Sequence, residues 1–156
     1  MRPVIVAVLA VAGCWAVLPT GLAAPVPKRK RPAEDVERDK FQGVWVLVSK
    51  EVGGQVTPAA DDTTTITFDG GKWETKSGET AAQAGTFKPV DVTKPAKSFD
   101  FMSAGGGSVT GWAIFEFDGD SFKYCSNDSG AQARPTDFTT KVGDGRYCMI
   151  WKRAKR

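Results

Sequence analysis

From Val44 to Arg153 the chain is a succession of short segments in which apolar and polar residues alternate, each ended by a turn rich in Gly or Asp. A period of two puts successive side chains on opposite faces of a strand, so one face can be buried while the other is wetted. Eight such segments are read, at 44–51, 64–68, 72–76, 82–88, 97–102, 111–117, 121–125 and 147–153. Gly53-Gly54, Asp69-Gly70-Gly71, Ser77-Gly78, Gly105-Gly106-Gly107 and Asp118-Gly119-Asp120 separate them, with turn chemistry suited to hairpins. Pro89 to Pro95 and Ser126 to Gly145 read as loops. Nearest-neighbour connections imply an up-and-down antiparallel meander. Eight strands close such a meander into a barrel and remove its edges. The fold class expected is therefore all-β, an eight-stranded antiparallel barrel, with a two-sheet sandwich as the alternative. Plentiful Thr, Val, Phe, Trp and Gly agree with strands more than with helices.

One segment has a different character. Pro32 to Gln42 reads as a short helix, with Pro32 in the first turn, Glu34 and Asp35 at the positive end of the dipole, and Glu34 paired to Arg38. Gly43 stops it. Its apolar content is thin (Ala33, Val36, Phe41), which predicts a lid on the barrel that does not join the core.

The N-terminus reads as an address. Met1-Arg2 is a short basic region, Val4 to Leu18 is almost wholly apolar, and Gly21-Leu22-Ala23 suits a signal-peptidase cut after Ala23. An uncleaved anchor is one alternative. A lipid anchor through Cys14, in Val11-Ala12-Gly13-Cys14, is another. Residues 24–31 (Ala-Pro-Val-Pro-Lys-Arg-Lys-Arg) form a basic, Pro-containing linker, and residues 32–156 form the barrel domain. An extracytoplasmic location, periplasmic or secreted, follows from the leader, with no stable membrane span after its removal.

Arg2 and the linker also carry the excess of positive charge. Without Arg2 and Lys28-Arg29-Lys30-Arg31 the chain has 16 basic against 18 acidic residues, so the domain does not invite nucleic acid. The sequence contains no His, which removes Ser-His-Asp and Cys-His catalysis and the usual His-containing zinc sites.

Gly43-x-Trp45 at the first strand, with a basic residue closing the last, resembles the lipocalin and calycin pattern. Six ordered runs extend the likeness: Phe41 to Ser49, Ile66 to Gly70, Gly85 to Phe87, Asp91 to Lys97, Phe115 to Asp120 and Arg134 to Phe138. Together they resemble an uncharacterised lipocalin-like (calycin-type) domain family abundant in planctomycete bacteria. The resemblance implies the barrel and export, and leaves activity open. It also implies that Trp45 packs across the barrel floor under a cation of the last strand, Arg153 or Lys152.

Trp45, Phe68, Trp73, Phe87, Phe99, Phe101, Phe115, Phe117, Phe122 and Tyr124 make up the expected inward set. They either line a ligand cavity or fill the core. Aromatics at this density favour a filled barrel. Glu51, Asp100 and Glu116 are expected to face solvent, since nothing in their spacing sets up the facing acid pair of a glycosidase. Asp118 and Asp120 read as a hairpin and lack the further oxygen ligands of a calcium loop. Asn127-Asp128-Ser129 matches a glycosylation sequon and reads as loop. Cys125 and Cys148 fall on neighbouring strands, on the parity opposite the inward aromatics. That predicts a disulfide on the outer face, or two free thiols if the strands are out of register.

No cofactor or metal motif is present. The leading functional reading is a non-enzymatic exported module holding a small lipophilic molecule in the barrel or at its mouth. The alternative is a filled-barrel interaction or surface-structural module, with no partner identified, working through rim loops Ser103–Thr110 and Ser126–Gly145. A void of about 300 Å³ or more separates the two.

Overall fold

The computed structural model describes residues 30–60, 63–105, 107–127 and 133–155. The expected leader, linker residues 24–29, Cys14, and Asp128 and Ser129 of the sequon lie outside the described residues. Among those described, no helix is long and apolar enough to cross a membrane.

Helix α1 (Ala33–Phe41) begins after Pro32, with Glu34 and Asp35 in its first turn and Arg38 and Lys40 in its last. Arg38 pairs with Asp35 and not with Glu34, one residue closer than expected. Arg31 reaches Asp39 at 2.8 Å. Nine strands follow: β1 (Gly43–Val52), β2 (Gln55–Pro58), β3 (Thr65–Asp69), β4 (Lys72–Ser77), β5 (Thr80–Asp91), β6 (Lys97–Ser103), β7 (Val109–Asp118), β8 (Ser121–Asn127) and β9 (Arg146–Arg153). Each pairs antiparallel with its neighbour from β3 to β9. β9 then returns to β1, and β1 pairs with β3, so the sheet closes.

The barrel has eight staves, because β2 and β3 share one edge of β1. β2 pairs with Ser49–Val52 and β3 with Gly43–Val46. Two hydrogen bonds carry the ladder across the gap, Ala59 N–H to the Val48 carbonyl (2.9 Å) and Leu47 N–H to the Thr64 carbonyl (3.0 Å). The two pieces are halves of one stave. The β2 half escapes sequence reading because all four of its residues are exposed, leaving no alternation to detect. β5 also runs further than expected, through Pro89 to Asp91. Its pairing with β6 shifts register between Pro89 and Asp91, a place where a ladder tolerates a residue with no N–H.

Side chains on the inner face form one core. Trp45, Phe68, Phe87, Phe99, Phe115 and Phe122 are buried there together with Ile66 and Leu47. Phe117 packs against them half-buried. Helix α1 is not a bare lid. Phe41, its last residue, is fully buried, and its ring lies 4.9–5.5 Å from those of Phe68, Phe87, Phe99, Phe115, Phe117 and Phe122. The helix thus drives one aromatic into the barrel as a plug.

Cys125 and Cys148 stand directly opposite each other in the β8–β9 register and form a disulfide. They face outward as expected, yet both are buried, in a small second cluster with Ile114, Ala96 and Phe138. The cover is the segment 133–145, laid along the outer wall. Arg134 holds it there, donating to the carbonyls of Phe99 (2.9 Å) and Ala113 (2.7 Å) and pairing with Asp100. At its other end the Thr140 N–H and hydroxyl donate to Glu51 Oε1 at 3.1 and 2.9 Å. Glu51 and Asp100 are therefore anchors for this segment, a correction to their reading as solvent-facing carboxylates. Glu116 is exposed, as expected.

Candidate functional site

The two ends of the barrel differ. At one end lie the start of β1, the end of β9 and helix α1. Gly43 has φ 110°, a conformation that disfavours side chains, and a Cβ there would sit 3.4 Å from Arg153 Nη1. The Gly of the Gly43-x-Trp45 pattern thus turns the chain out of the helix beside Arg153. The Arg153 guanidinium lies 4.0 Å over the Trp45 ring. It also donates to the carbonyls of Gln42 (2.7 Å) and Lys40 (2.9 Å), while Trp45 Nε1 donates to the Phe41 carbonyl at 2.6 Å. One planar cation stacks on the indole and satisfies carbonyls at the helix end. Lys152, the other residue considered, is exposed and lies opposite Val46. Phe41 and the phenylalanine layer above Trp45 leave this half filled.

The other end is open. A cavity of about 740 Å³ occupies it, walled by the last residues of β1, β4, β6 and β8 and the first of β5, β7 and β9. Of the expected inward set, Trp73, Phe101 and Tyr124 line it. Trp45, Phe68, Phe87, Phe99, Phe115, Phe117 and Phe122 do not, and belong to the filled half. Trp151, Tyr147 and Met149 of β9 complete the aromatic and thioether surface. The division follows from depth. All these residues share one parity, but only those above the Phe41 plug meet open space.

The floor is rigid. Trp73 and Phe101 meet edge to face at 4.8 Å, Phe101 and Tyr124 at 5.6 Å, and Phe122 stacks under Trp151 at 6.3 Å. Gly85 allows the Trp73 indole to lie flat against β5, since a Cβ there would collide with the Met102 carbonyl and with the indole. Trp73 Nε1 donates to the Thr86 carbonyl at 3.2 Å. Tyr124 hydroxyl donates to Met149 Sδ at 3.3 Å. Burial first, and then its neighbour Tyr147, push the Tyr124 phenol well above its ordinary range, so it stays neutral. Two polar atoms of the lining, Trp151 Nε1 and Asn127 Oδ1, are buried with no hydrogen-bond partner among the described residues.

A β-bulge determines the one charge among the described residues of this lining. The β1–β9 register shifts between Leu47 and Ser49. Beyond the shift Lys50 stands opposite Met149, on the inner face, and Glu51 opposite Cys148, on the outer face. Lys50 lines the cavity with its ammonium 5.8 Å from the Tyr147 ring centroid. Strict alternation from Trp45 would have put Glu51 inside. Nothing in Val48-Ser49-Lys50 announces the bulge, so sequence reasoning missed Lys50. The β9 residues Met149 and Trp151 were legible from parity.

Among the described residues no carboxylate lines this cavity, and no group of three His, Cys, Asp or Glu could hold a metal. Of the rim loops, Ser103, Ala104 and Thr110 border the mouth; Phe138 packs on the outer wall, and 140–145 lies beside the β1–β2 turn. No protein family, curated protein or solved structure matches this chain.

Proposed function

We propose that this chain is an exported, lipocalin-like (calycin-type) barrel that holds a small lipophilic molecule in its open half. The observation that carries the reading is the cavity of about 740 Å³ over a floor of Trp73, Phe101, Tyr124 and Trp151. Its size falls within the ~300–1,000 Å³ of small-molecule sites, and it passes the threshold that separates a ligand chamber from a filled barrel. The Gly43-x-Trp45 pattern and the Arg153 stack support the calycin-type assignment. The Cys125–Cys148 bridge supports an oxidising, extracytoplasmic compartment.

Native mass spectrometry of protein purified from its source tests the reading, together with titration by an uncharged apolar fluorophore. We expect a co-purifying mass or saturable binding, and Gln83→Trp, on the inner face opposite Thr75, should abolish it. No bound mass together with no saturable binding overturns the reading.

A further inference from the structure

We infer that the Cys125–Cys148 disulfide is a thiol-exchange site gated by the segment 133–145: the segment lifts off the outer wall, a dithiol reduces the uncovered bridge, and the barrel stays closed. Nothing in this depends on what the open half holds. With the segment down the sulfurs are out of reach. Cys125 is 0% exposed and Cys148 2%, so a thiolate has no line of attack on either. Something must open first, and the surroundings of the bridge indicate what. Trp45, Trp151 and the phenylalanines form the buried cluster of the inner face. Ile114, Cys125 and Cys148 form another on the outer face, against Ala96 and Phe138. Lifting Phe138 uncovers the second cluster and leaves the first intact.

The cover is fastened by side chains. Among the described residues none of 133–145 is in a strand, so no ladder holds it. Arg134 ties one end to β6 and β7, through the carbonyls of Phe99 and Ala113 and the Asp100 carboxylate. Lys123 of β8 donates to the Phe138 carbonyl at 3.3 Å and lies 5.2 Å from the centroid of its ring. At the other end Thr140 donates to Glu51 of β1 and accepts from the Gly54 N–H at 2.8 Å. Water replaces such bonds on opening, so each contributes only about 1 kcal/mol net, whereas opening the barrel exposes the whole aromatic core. A segment held this way opens locally, well below the cost of global unfolding.

Once the segment is up, a thiolate of the dithiol attacks one sulfur of the bridge. The other cysteine leaves as a thiolate and takes a proton. The second sulfur of the dithiol then displaces the first cysteine from the mixed disulfide. Two electrons pass to the bridge, two cysteine thiols result, and the dithiol departs as a disulfide. The thiols remain neighbours, because Tyr124, Cys125 and Ser126 are still paired with Met149, Cys148 and Tyr147. Reoxidation therefore needs no search. The loop that the bridge closes, of sequence separation 23, is the one that contains the cover. Its two states thus differ in the freedom of 133–145 and in the exposure of the outer cluster, with the barrel common to both.

The test is reduction of the full-length protein by dithiothreitol without denaturant, with free thiols counted by alkylation and mass spectrometry. Phe138→Ala thins the cover, and Thr140→Val cuts its tether to β1. We expect each to speed reduction about tenfold while the near-ultraviolet circular dichroism of the barrel is kept. Trp45→Ala is the control: a route through the opened barrel would be speeded about a hundredfold or more, and we expect a change below about threefold. The parent's rate should depend only weakly on urea, since local opening exposes little surface. Amide exchange on the reduced protein should find 133–145 open and β8 and β9 protected, and reoxidation should close the segment again. Reduction that follows Trp45→Ala and urea while ignoring Phe138→Ala and Thr140→Val overturns the inference. So does loss of the barrel on reduction, or a bridge inert to dithiothreitol in the parent and in both cover variants.

Discussion

At the scale of single residues, two positions concentrate the constraints. Trp45 is fully buried, stacked by Arg153 and bonded to Phe41. Trp45→Ala should cost about 3–5 kcal/mol in urea unfolding, as large aromatic truncations do. Arg153→Lys should be nearly as informative. A lysine keeps the charge but cannot lie flat on the indole while reaching the carbonyls of both Lys40 and Gln42, so we expect a loss of about 1–3 kcal/mol. A lysine variant as stable as the parent would show that charge alone closes the barrel. Gly85 is the second position. Gly85→Ala should lower the melting temperature and disturb the Trp73 signal in near-ultraviolet circular dichroism, because the added methyl meets a backbone oxygen that cannot move without breaking the β5–β6 ladder. The pattern Gly43-x-Trp45 is visible in the sequence. The need for Gly85 is not, because it arises from Trp73 and Met102 on the two neighbouring strands.

At the scale of elements, helix α1 and the outer segment 133–145 are each tied to the barrel by a few polar contacts. Glu37 is buried on the helix and accepts from Lys40 and from Lys97 of β6, both at 2.7 Å. Burial alone would raise its carboxyl, but the hydrogen bonds and charges of the two lysines outweigh it and hold the group below its ordinary 4.5. A folded value below the unfolded one contributes stability above the unfolded value that is lost as pH falls through the folded one. The stability gap between the parent and Glu37→Gln should therefore be full above about pH 6 and narrow on acidification below about pH 4.5. Urea midpoints measured across that range check it, and a gap independent of pH would rule it out. The outer segment rests on the disulfide, which spans 23 residues. Its removal by Cys125→Ala with Cys148→Ala should cost about 3 kcal/mol. Amide exchange should quicken in 133–145 well before it does in β8. Thiol counting on the denatured, unreduced parent should find Cys125 and Cys148 blocked.

At the scale of the whole molecule, the staves were legible where they alternate, as β2 does not, and the disulfide because parity and neighbourhood both follow from a meander. The partition of the barrel was not. Phe101 and Phe99 carry the same parity, and whether a ring meets packing or open space depends on how far Phe41 reaches. A single aromatic at the end of a polar helix gives no sign of that. Lys50 was hidden for a related reason, since a bulge is a property of two strands in register and not of either alone. The closure itself has a further consequence. β1 finds its second neighbour only in β9, with Trp45 opposite Arg153, more than a hundred residues away along the chain. A polypeptide delivered from its N-terminus must therefore wait with one flank of its first strand unpaired until the last strand arrives. During that interval the flank can recruit another chain's strand. A chain cut before Arg146 would keep its first strand, its plug and most of its aromatics yet have no seam, so limited proteolysis should digest it faster than the closed form.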